Sequence, residues 1–351
     1  MLPQLANSPS AWLSYINDPV WTPYAYDALT DALTFAHLPR EAQRRAVFLD
    51  PRFLARAEKS PAIPVAELPE RDVRAAAGPL HFIFHTAFCC STLLARALDI
   101  PGVSYGLKEP SVLVGLSHDF ATGRRRPGTP AALQLTLDLL SRPHVPGEVQ
   151  IVKPSVVVNH AIAALFHMRP DAKALVLYSD LDAFLRAIAR RNLDGRAYGR
   201  LMYKNFSSAI PLDTGYTAED IFLQTDLQIA AQAWLMQMSF IDSVVRRFGP
   251  ARVRTLHADS LLAEPAVAIS KLGRFFDLAI SESDAAAIVA GPVFREHAKH
   301  PATAFDAGTH QEQLKQVGVI HFEELNAVRA WAAALAGRCN APTTLGDTLL
   351  R

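Results

Sequence analysis

The sequence predicts an α/β fold, a three-layer sandwich in which a central parallel sheet of five strands has helices on both faces. Short apolar runs rich in β-branched and aromatic residues alternate with stretches of helical periodicity. The connections between these runs are long enough for parallel crossovers, and sheets built this way are covered by helices on both faces. The predicted strands are Leu80–Phe84, Val103–Leu107, Val149–Val152, Ala174–Tyr178 and Arg252–His257.

Helical periodicity predicts what lies between and after these strands. The predicted helices are one that starts at Ser91, then Ala131–Leu140, Val158–Phe166, Leu181–Arg191, Ala218–Phe248, Ala266–Phe276 and Phe322–Leu335. The polar stretch 192–215 is long enough to be a lid or a substrate loop. Arg124–Arg126 lies in another polar loop, where a solvated face is the ordinary explanation and a dock for an acidic substrate is the alternative.

Three parts follow one another along the chain. Residues 1–75 are predicted to form a helical appendage, because helix-like patterns cover Tyr24–Phe35 and Arg40–Arg56 between prolines. Residues 76–290 carry the predicted α/β core. Residues 291–351 are predicted to form a loop and a last helix packed on the core.

Composition excludes several classes of protein. The chain has 351 residues, with 35 Lys plus Arg against 34 Asp plus Glu and a formal charge of +1. This balance gives no overall attraction to nucleic acid or to an anionic membrane, so neither is an expected partner. The first residues have no basic region followed by an apolar core, so a signal peptide is not expected, and no apolar run approaches membrane-spanning length. Cys89, Cys90 and Cys339 lack paired spacing, which indicates reduced thiols, a cytoplasmic protein and no structural metal.

The first strand-to-helix crossover carries the clearest functional signal. Ser91 and Thr92 stand at the predicted helix start, directly after a turn from Thr86 to Cys90. The first N–H groups of a helix have no intrahelical partners and the dipole there is positive, so an anion is the expected guest. The Walker A pattern needs Lys before the Ser or Thr, and Cys90 stands there instead. An ordinary crossover without a ligand is the alternative.

Parallel sheets bind ligands outside the carboxyl ends of their strands. This rule gathers three further segments beside the turn: Lys108 with Glu109, Lys153 with Ser155, and Ser179 with Asp180. Glu109 and His85 lie at strand ends next to the turn, so each is a candidate general base. The alternatives are an ion pair for Glu109 and a hydrogen-bonded core position for His85.

The string from Cys89 through Ser91-Thr-Leu-Leu-Ala-Arg96 resembles the 5′-phosphosulfate loop of bacterial sulfotransferases. These are P-loop-like enzymes that use 3′-phosphoadenosine 5′-phosphosulfate as donor. The resemblance implies that Cys89, Cys90, Ser91 and Thr92 wrap the 5′-phosphate of the donor. Phe88 stands where the family has a basic residue, and Cys90 stands where it has a glycine.

Further segments follow in the order of that family. Ile151-Val-Lys153-Pro-Ser155 is similar to the strand that ends Lys-Thr-His, which implies that Lys153 steadies the sulfuryl group, with Ser155 at the histidine position. The segment 169–184 resembles the 3′-phosphate strand. Ser179 stands where that strand has its arginine, and Ala187 stands where the family has a serine. The segment 256–265 looks like a structural segment of the family.

The missing 3′-phosphate arginine has candidate replacements on the helix that follows. We assign Arg186 to this role, with Arg190 and Arg191 as alternatives and solvent exposure as the ordinary fate of a helical arginine. Arg295, Lys299 and His300 resemble the late basic loop that closes over the nucleotide in sulfotransferases.

The resemblance implies a sulfotransferase that moves a sulfuryl group from 3′-phosphoadenosine 5′-phosphosulfate to a small-molecule or carrier-bound hydroxyl acceptor. Lys153, alone or with Lys108, would supply the positive charge that Phe88 lacks, and Glu109 or His85 would be the base. Two alternatives stay open: a P-loop-like ligand-binding or scaffold protein that has lost the transfer chemistry, and a nucleotide-dependent kinase. The sequence indicates neither the acceptor nor the oligomeric state.

Overall fold

The computed structural model describes residues 9–121, 126, 128–297, 300–304, 312 and 316–350. The strands, in chain order, are β1 Trp21–Asp27, β2 Ala32–His37, β3 Ile63–Pro64, β4 Leu80–His85, β5 Ser104–Lys108, β6 Val149–Lys153, β7 Ala174–Tyr178, β8 Val253–His257, β9 Glu296–His297 and β10 His300–Ala304. The α-helices are α1 Pro9–Asn17, α2 Arg40–Arg45, α3 Pro51–Leu54, α4 Glu70–Ala76, α5 Ser91–Ala97, α6 Ser111–Ala121, α7 Thr129–Leu140, α8 Ile162–Met168, α9 Leu181–Ala189, α10 Asn192–Ala209, α11 Ala218–Phe222, α12 Asp226–Phe248, α13 Ala258–Ala263, α14 Pro265–Phe275, α15 Glu282–Ala290 and α16 Phe322–Cys339.

A five-stranded parallel sheet in the order β5-β6-β4-β7-β8 forms the centre of a three-layer α/β sandwich. The prediction is confirmed, and each strand lies within one residue of its predicted bounds. After β4 the chain crosses over β6 to form β5 at one edge of the sheet. After β7 it continues toward the opposite edge and forms β8. The carboxyl ends of β4 and β7 therefore meet at the switch point, where sheets of this kind bind ligands.

Alternating side chains divide the core into two layers. On β4, Phe82 and Phe84 belong to the larger apolar cluster, which contains residues of α7, α9, α10, α12 and α16. Ile83 points the other way, into a smaller cluster formed with α5, α13 and α14. The period of two along a strand produces this division, because successive side chains face opposite sides of the sheet.

The predicted helix over Tyr24–Phe35 is wrong. These residues lie in an antiparallel hairpin of β1 and β2, which pairs further with β3. Asp27 closes the turn by accepting hydrogen bonds from the Leu29 amide (2.8 Å) and the Thr30 hydroxyl (2.8 Å). Local side-chain bonds of this kind favour a turn over a helix. The N-terminal region is thus a mixture of strands and short helices.

The predicted lid between residues 192 and 215 is also wrong, because most of it is helix α10. This helix packs closely on α12: a Cβ atom at Gly199 would lie 2.8 Å from the Ala230 Cβ. Met202 and Phe206 are fully buried on the same helix. The polar residues that suggested a loop cover its outer face, so tertiary packing outweighs its weak helix propensity.

The remaining predicted helices agree with prediction in position and differ at their ends. Arg40–Arg56 is divided into α2 and α3, and the predicted helix 218–248 is divided at Thr225, whose hydroxyl caps α12. The predicted helix Val158–Phe166 begins as a 3₁₀-helix, Val156–Ala161, which continues into α8. Besides α10, helices α1, α4, α6, α13 and α15 were not predicted. Arg126 is exposed, while Arg124, Arg125 and Lys299 lie outside the described residues. Across the described ranges, no helix has both the length and the apolar character needed to cross a membrane.

Candidate functional site

A turn without glycine joins β4 to α5. Its backbone has positive φ at three residues: Ala87 (71°), Phe88 (52°) and Cys90 (63°). Left-handed backbone costs roughly 1–2 kcal/mol for a residue with a Cβ atom, so the surrounding structure must hold this shape. One contact that does so is the Cys89 thiol, which donates to the Leu177 carbonyl oxygen of β7 (3.2 Å).

The start of α5 has no side-chain cap. Cys90 occupies the N-cap position and makes no side-chain hydrogen bond there. Since N–H groups in the first helical turn have no intrahelical acceptor, the amides of Ser91 and Thr92 can serve a ligand. Both side chains are buried. Because α5 has only seven residues, its end is a weak anion site unless neighbouring strands supply further groups.

Two buried hydroxyl groups lie at the ends of the central strands. Thr86 follows β4 and Ser179 follows β7, and these strands are neighbours. Their side chains are 0% and 3% exposed. Within the described part of the chain, neither the Thr86 nor the Ser179 hydroxyl has a hydrogen-bond partner. Buried polar groups are normally satisfied, so each of these two is a candidate ligand donor.

Lys153 ends β6 with its side chain fully buried. Its Nζ donates to Glu109 Oε1 at 2.5 Å, and the Glu109 side chain is 18% exposed. Glu109 has a positive φ of 53° directly after β5, and its amide donates to the Lys153 carbonyl oxygen (2.7 Å). The Phe48 ring covers the pair, with its centroid 5.5 Å from Nζ. The ion pair foreseen as the alternative for Glu109 is thus present.

Both ring nitrogens of His85 have partners. Nδ1 accepts a hydrogen bond from the Ala87 amide (3.1 Å) and therefore carries no proton. Nε2 then holds the hydrogen and donates to the Pro154 carbonyl oxygen (3.1 Å), with Lys153 Nζ 3.3 Å away. A ring held this way supports the turn and has no free ring nitrogen to accept a proton. Glu109 is the better placed of the two candidate bases.

Lys108 ends β5 and is buried, but it points to a different partner. Its Nζ donates to the Arg44 carbonyl oxygen at 2.7 Å. Burial lowers the pKa of Lys108 to about 8, although Asp99 opposes the shift. Lys108 is thus fastened to the N-terminal region, whereas Lys153 contacts Glu109 and His85.

Phe88, which stands where a basic residue was expected, packs in an aromatic cluster. Its ring centroid lies 5.8 Å from that of Phe184 and 5.5 Å from that of Tyr198. The Arg191 guanidinium lies over the same ring, 4.3 Å from its centroid. Burial raises the pKa of the Tyr198 hydroxyl above its usual value, and the charge of Glu109 acts in the same direction. Tyr198 is thus near enough to Glu109 for the carboxylate charge to act on its hydroxyl group.

Arg186, the predicted 3′-phosphate ligand, contacts Asp182. Its Nε donates to Asp182 Oδ2 at 2.6 Å, and its guanidinium lies against Gly318. Arg329 contacts the same carboxylate at 2.8 Å. The structure thus places Arg186 among α9 and α16 residues, while Arg191 is the arginine beside the turn.

One group of described residues has spacing that a metal ion could use: Asp180, His257 and Asp259. Local roles account for two of these side chains, those of Asp180 and His257. Asp180 caps α9 by accepting from the Ala183 amide (2.6 Å), and His257 Nδ1 accepts from the Asp259 amide (3.2 Å). No metal role is assigned to them.

Sequence reasoning missed the N-terminal contribution to this site. Phe48 covers Lys153 from the segment between α2 and α3, and the Arg44 carbonyl oxygen holds Lys108. Nothing in the local sequence marks Phe48, because its role depends on a contact with a residue far along the chain. Tyr198 was assigned to a loop, although its position on α10 places it against Phe88.

No protein-family model matches this chain, and no curated protein sequence matches it. Among solved structures, it is similar to the sulfotransferase domain from the curacin biosynthetic pathway, with 13% identity, a TM-score of 0.43 and coverage of 69% of this chain and 96% of that one. Sulfotransferase STF1 from Mycobacterium tuberculosis H37Rv gives 14% identity, a TM-score of 0.39 and coverage of 64% and 74%. A sulfotransferase from Alicyclobacillus acidocaldarius gives 16% identity, a TM-score of 0.40 and coverage of 76% of this chain and 97% of that one.

Proposed function

We propose that this chain is a sulfotransferase that moves a sulfuryl group from 3′-phosphoadenosine 5′-phosphosulfate to a hydroxyl acceptor. One observation carries the proposal: the segments that resemble sulfotransferase motifs end at the same edge of the sheet. The turn 86–90 follows β4 and leads into α5. Lys153 ends β6 and Ser179 follows β7, and both strands are neighbours of β4. Group transfer depends on placement and charge stabilisation at one point, and this arrangement supplies both.

The chain offers donor ligands of two kinds. Backbone amides from Cys89 to Thr92 would hold the 5′-phosphosulfate, since successive N–H groups in a turn form an anion-binding concavity. The Ser179 hydroxyl is assigned to the 3′-phosphate. Its burial and lack of a partner within the described residues fit a group that awaits a ligand. The donor supplies the activated sulfuryl group, and no metal is needed for these contacts.

Glu109 is assigned as the base. As the acceptor oxygen forms its bond to sulfur, its proton passes to a Glu109 carboxylate oxygen, and the bond from sulfur to the phosphate oxygen breaks. Lys153 stabilises the negative charge that develops on that phosphate oxygen. Because Lys153 donates to Glu109 at 2.5 Å in the structure, it must exchange this partner for the donor. Once Lys153 contacts the donor, the Glu109 carboxylate is free to take the proton of the acceptor hydroxyl.

Calorimetric titration with adenosine 3′,5′-bisphosphate tests the donor site. We expect heat of binding, with a sulfotransferase of known activity as control. No heat at about 1 mM ligand, where binding as weak as about −4 kcal/mol is detectable, would exclude the donor and the proposal with it. Labelled donor offered with a panel of hydroxyl compounds then tests transfer.

A second candidate function is ligand binding without transfer. It is favoured by Phe88, whose ring packs on Phe184 and Tyr198 where a cation was expected, and by the complete burial of Lys153. It predicts bisphosphate binding, no transfer to any hydroxyl compound, and an unchanged biological phenotype for Lys153→Ala. Loss of the phenotype in that variant would exclude it.

A further inference from the structure

Arg191 lies directly beside the turn that connects β4 to α5. It follows α9, and its guanidinium carbon is 4.3 Å from the centroid of the Phe88 ring. One of its nitrogens, Nη1, donates to the Ala187 carbonyl oxygen at 3.0 Å. The stack and this single hydrogen bond fix the plane of the guanidinium next to the turn.

The charge of Arg191 has no carboxylate partner among the described residues. Other arginines on the same pair of helices do: Arg186 contacts Asp182, Arg196 contacts Glu324, and Arg200 contacts Asp226. Arg191 is also half-buried, and burial together with the nearby Arg190 lowers the pKa of its guanidinium. A partly buried charge without a counter-charge is unfavourable. A bound anion would provide the counter-charge that the described residues do not.

The two unpartnered hydroxyl groups provide a separate reason to expect an anion at this edge. Thr86 begins the turn that carries Phe88, and Ser179 follows the neighbouring strand β7. Their hydroxyls are at least nine-tenths buried and have no partner in the described ranges. A bound oxyanion would satisfy hydroxyl donors and a guanidinium together, because it has several acceptor oxygens.

We propose that Arg191 binds a phosphate or sulfate oxygen of the ligand and so supplies, from the α9–α10 junction, the positive charge that Phe88 does not. This inference rests on the proposed function and adds a residue to its donor site. Phe88 then has a positive role, since its ring is the surface on which the guanidinium is held. Because Arg191 supplies its positive charge from the α9–α10 junction, the turn between β4 and α5 needs no lysine or arginine of its own.

Titration of adenosine 3′,5′-bisphosphate into Arg191→Met tests the inference. We expect binding roughly 10- to 100-fold weaker than in the wild type, the usual loss for a charge-assisted hydrogen bond to a ligand. Arg200→Met is the matched control, because it removes an arginine of α10 that pairs with Asp226. The control should bind as the wild type does.

A double variant separates charge supply from structural support. Phe88→Lys with Arg191→Met places the cation on the turn itself and should recover most of the lost affinity, whereas a merely structural arginine would not be replaced this way. Arg191→Lys keeps the charge and should bind within about 10-fold of the wild type, with a poorer stack. Melting temperatures of all variants show whether they fold.

The outcomes distinguish this inference from the proposed function. If the wild type does not bind the bisphosphate, the proposed function fails. If the wild type binds and Arg191→Met binds equally well, only the assignment of Arg191 fails. A loss in Arg191→Met that neither Arg191→Lys nor the double variant recovers would show that Arg191 supports the fold, and would overturn the assignment as well.

Discussion

Lys108 and Lys153 end neighbouring parallel strands and are paired in register, yet they have different partners. Both are buried, 2% and 0% exposed. Lys108 donates to a backbone carbonyl oxygen, that of Arg44, which is fixed in place. Lys153 donates to a side chain, that of Glu109, which is 18% exposed. Under the proposed function, the partner of each lysine, and not its strand position, decides which of the two acts on the ligand.

The strongest test of this difference is to replace each lysine separately by methionine, which removes its ammonium group. Lys153→Met should lower the rate of sulfuryl transfer by about 10²–10³-fold, the usual loss when one electrostatic donor to the transition state is removed. Lys108→Met should leave transfer within about 3-fold of the wild type, because we place it outside the site. Initial rates with labelled donor measure both. Equal losses in the two variants would contradict the comparison.

Removing the movable partner should separate binding from transfer. Glu109→Gln takes away the proposed base and should slow transfer by about 10²-fold, within the range for general-base catalysis. It also removes the carboxylate that competes for Lys153, so adenosine 3′,5′-bisphosphate should bind a few-fold more tightly. Rates and calorimetry on the same preparation measure the two effects. Weaker binding in Glu109→Gln would mean that Glu109 contacts the ligand or supports the site.

The fixed lysine should affect stability as pH changes. Burial lowers the pKa of Lys108 to about 8 from an ordinary value of 10.5. Between these pH values the unfolded chain binds more protons than the folded chain, so Lys108 makes stability rise with pH, by roughly 3 kcal/mol across the window. Below about pH 8 both states hold the proton and this gain is absent.

Urea unfolding at pH 7.5, 8.5 and 9.5 checks the effect in wild type and Lys108→Met. The difference in unfolding free energy between the two should change steadily with pH in favour of the wild type. A constant difference would show that Lys108 keeps an ordinary pKa in the folded protein.

The smallest expected effect is that of removing the Phe48 ring, which lies over the ion pair of Lys153 and Glu109. Phe48→Ala removes the ring whose centroid lies 5.5 Å from Lys153 Nζ. We expect a loss of about 1–2 kcal/mol in stability from the lost cation–π and apolar contact, since Phe48 is only half-buried, and little change in bisphosphate affinity. Thermal melts and calorimetry measure these. A large loss of affinity would make Phe48 part of the ligand site.

The central sheet could be predicted from sequence because its strands are short apolar runs with clear ends. The rule for parallel strands also brought Lys153, Glu109 and His85 together correctly as neighbours. The roles of these residues stay predictions. Failures occurred where the local pattern and the tertiary structure disagree: β1 and β2 have helix-like spacing, and the polar α10 is a helix only because Gly199, Met202 and Phe206 pack inward.

Contacts between distant segments could not be predicted from one sequence. The cover that Phe48 provides for Lys153 and the stack of Arg191 on Phe88 join parts of the chain that no periodicity connects. Arg186, Arg190 and Arg191 are equivalent as sequence signals, and only the path of α9 decides which of them meets the turn.

The region before β4 also bears on how the protein can be divided. A chain shortened to begin at residue 76 would keep all five central strands, and by sequence alone it would count as a complete core. It would lack the Arg44 carbonyl oxygen and the Phe48 ring, so water would reach both ammonium groups. Such a fragment is therefore a poor substitute for the whole protein in any assay of its chemistry.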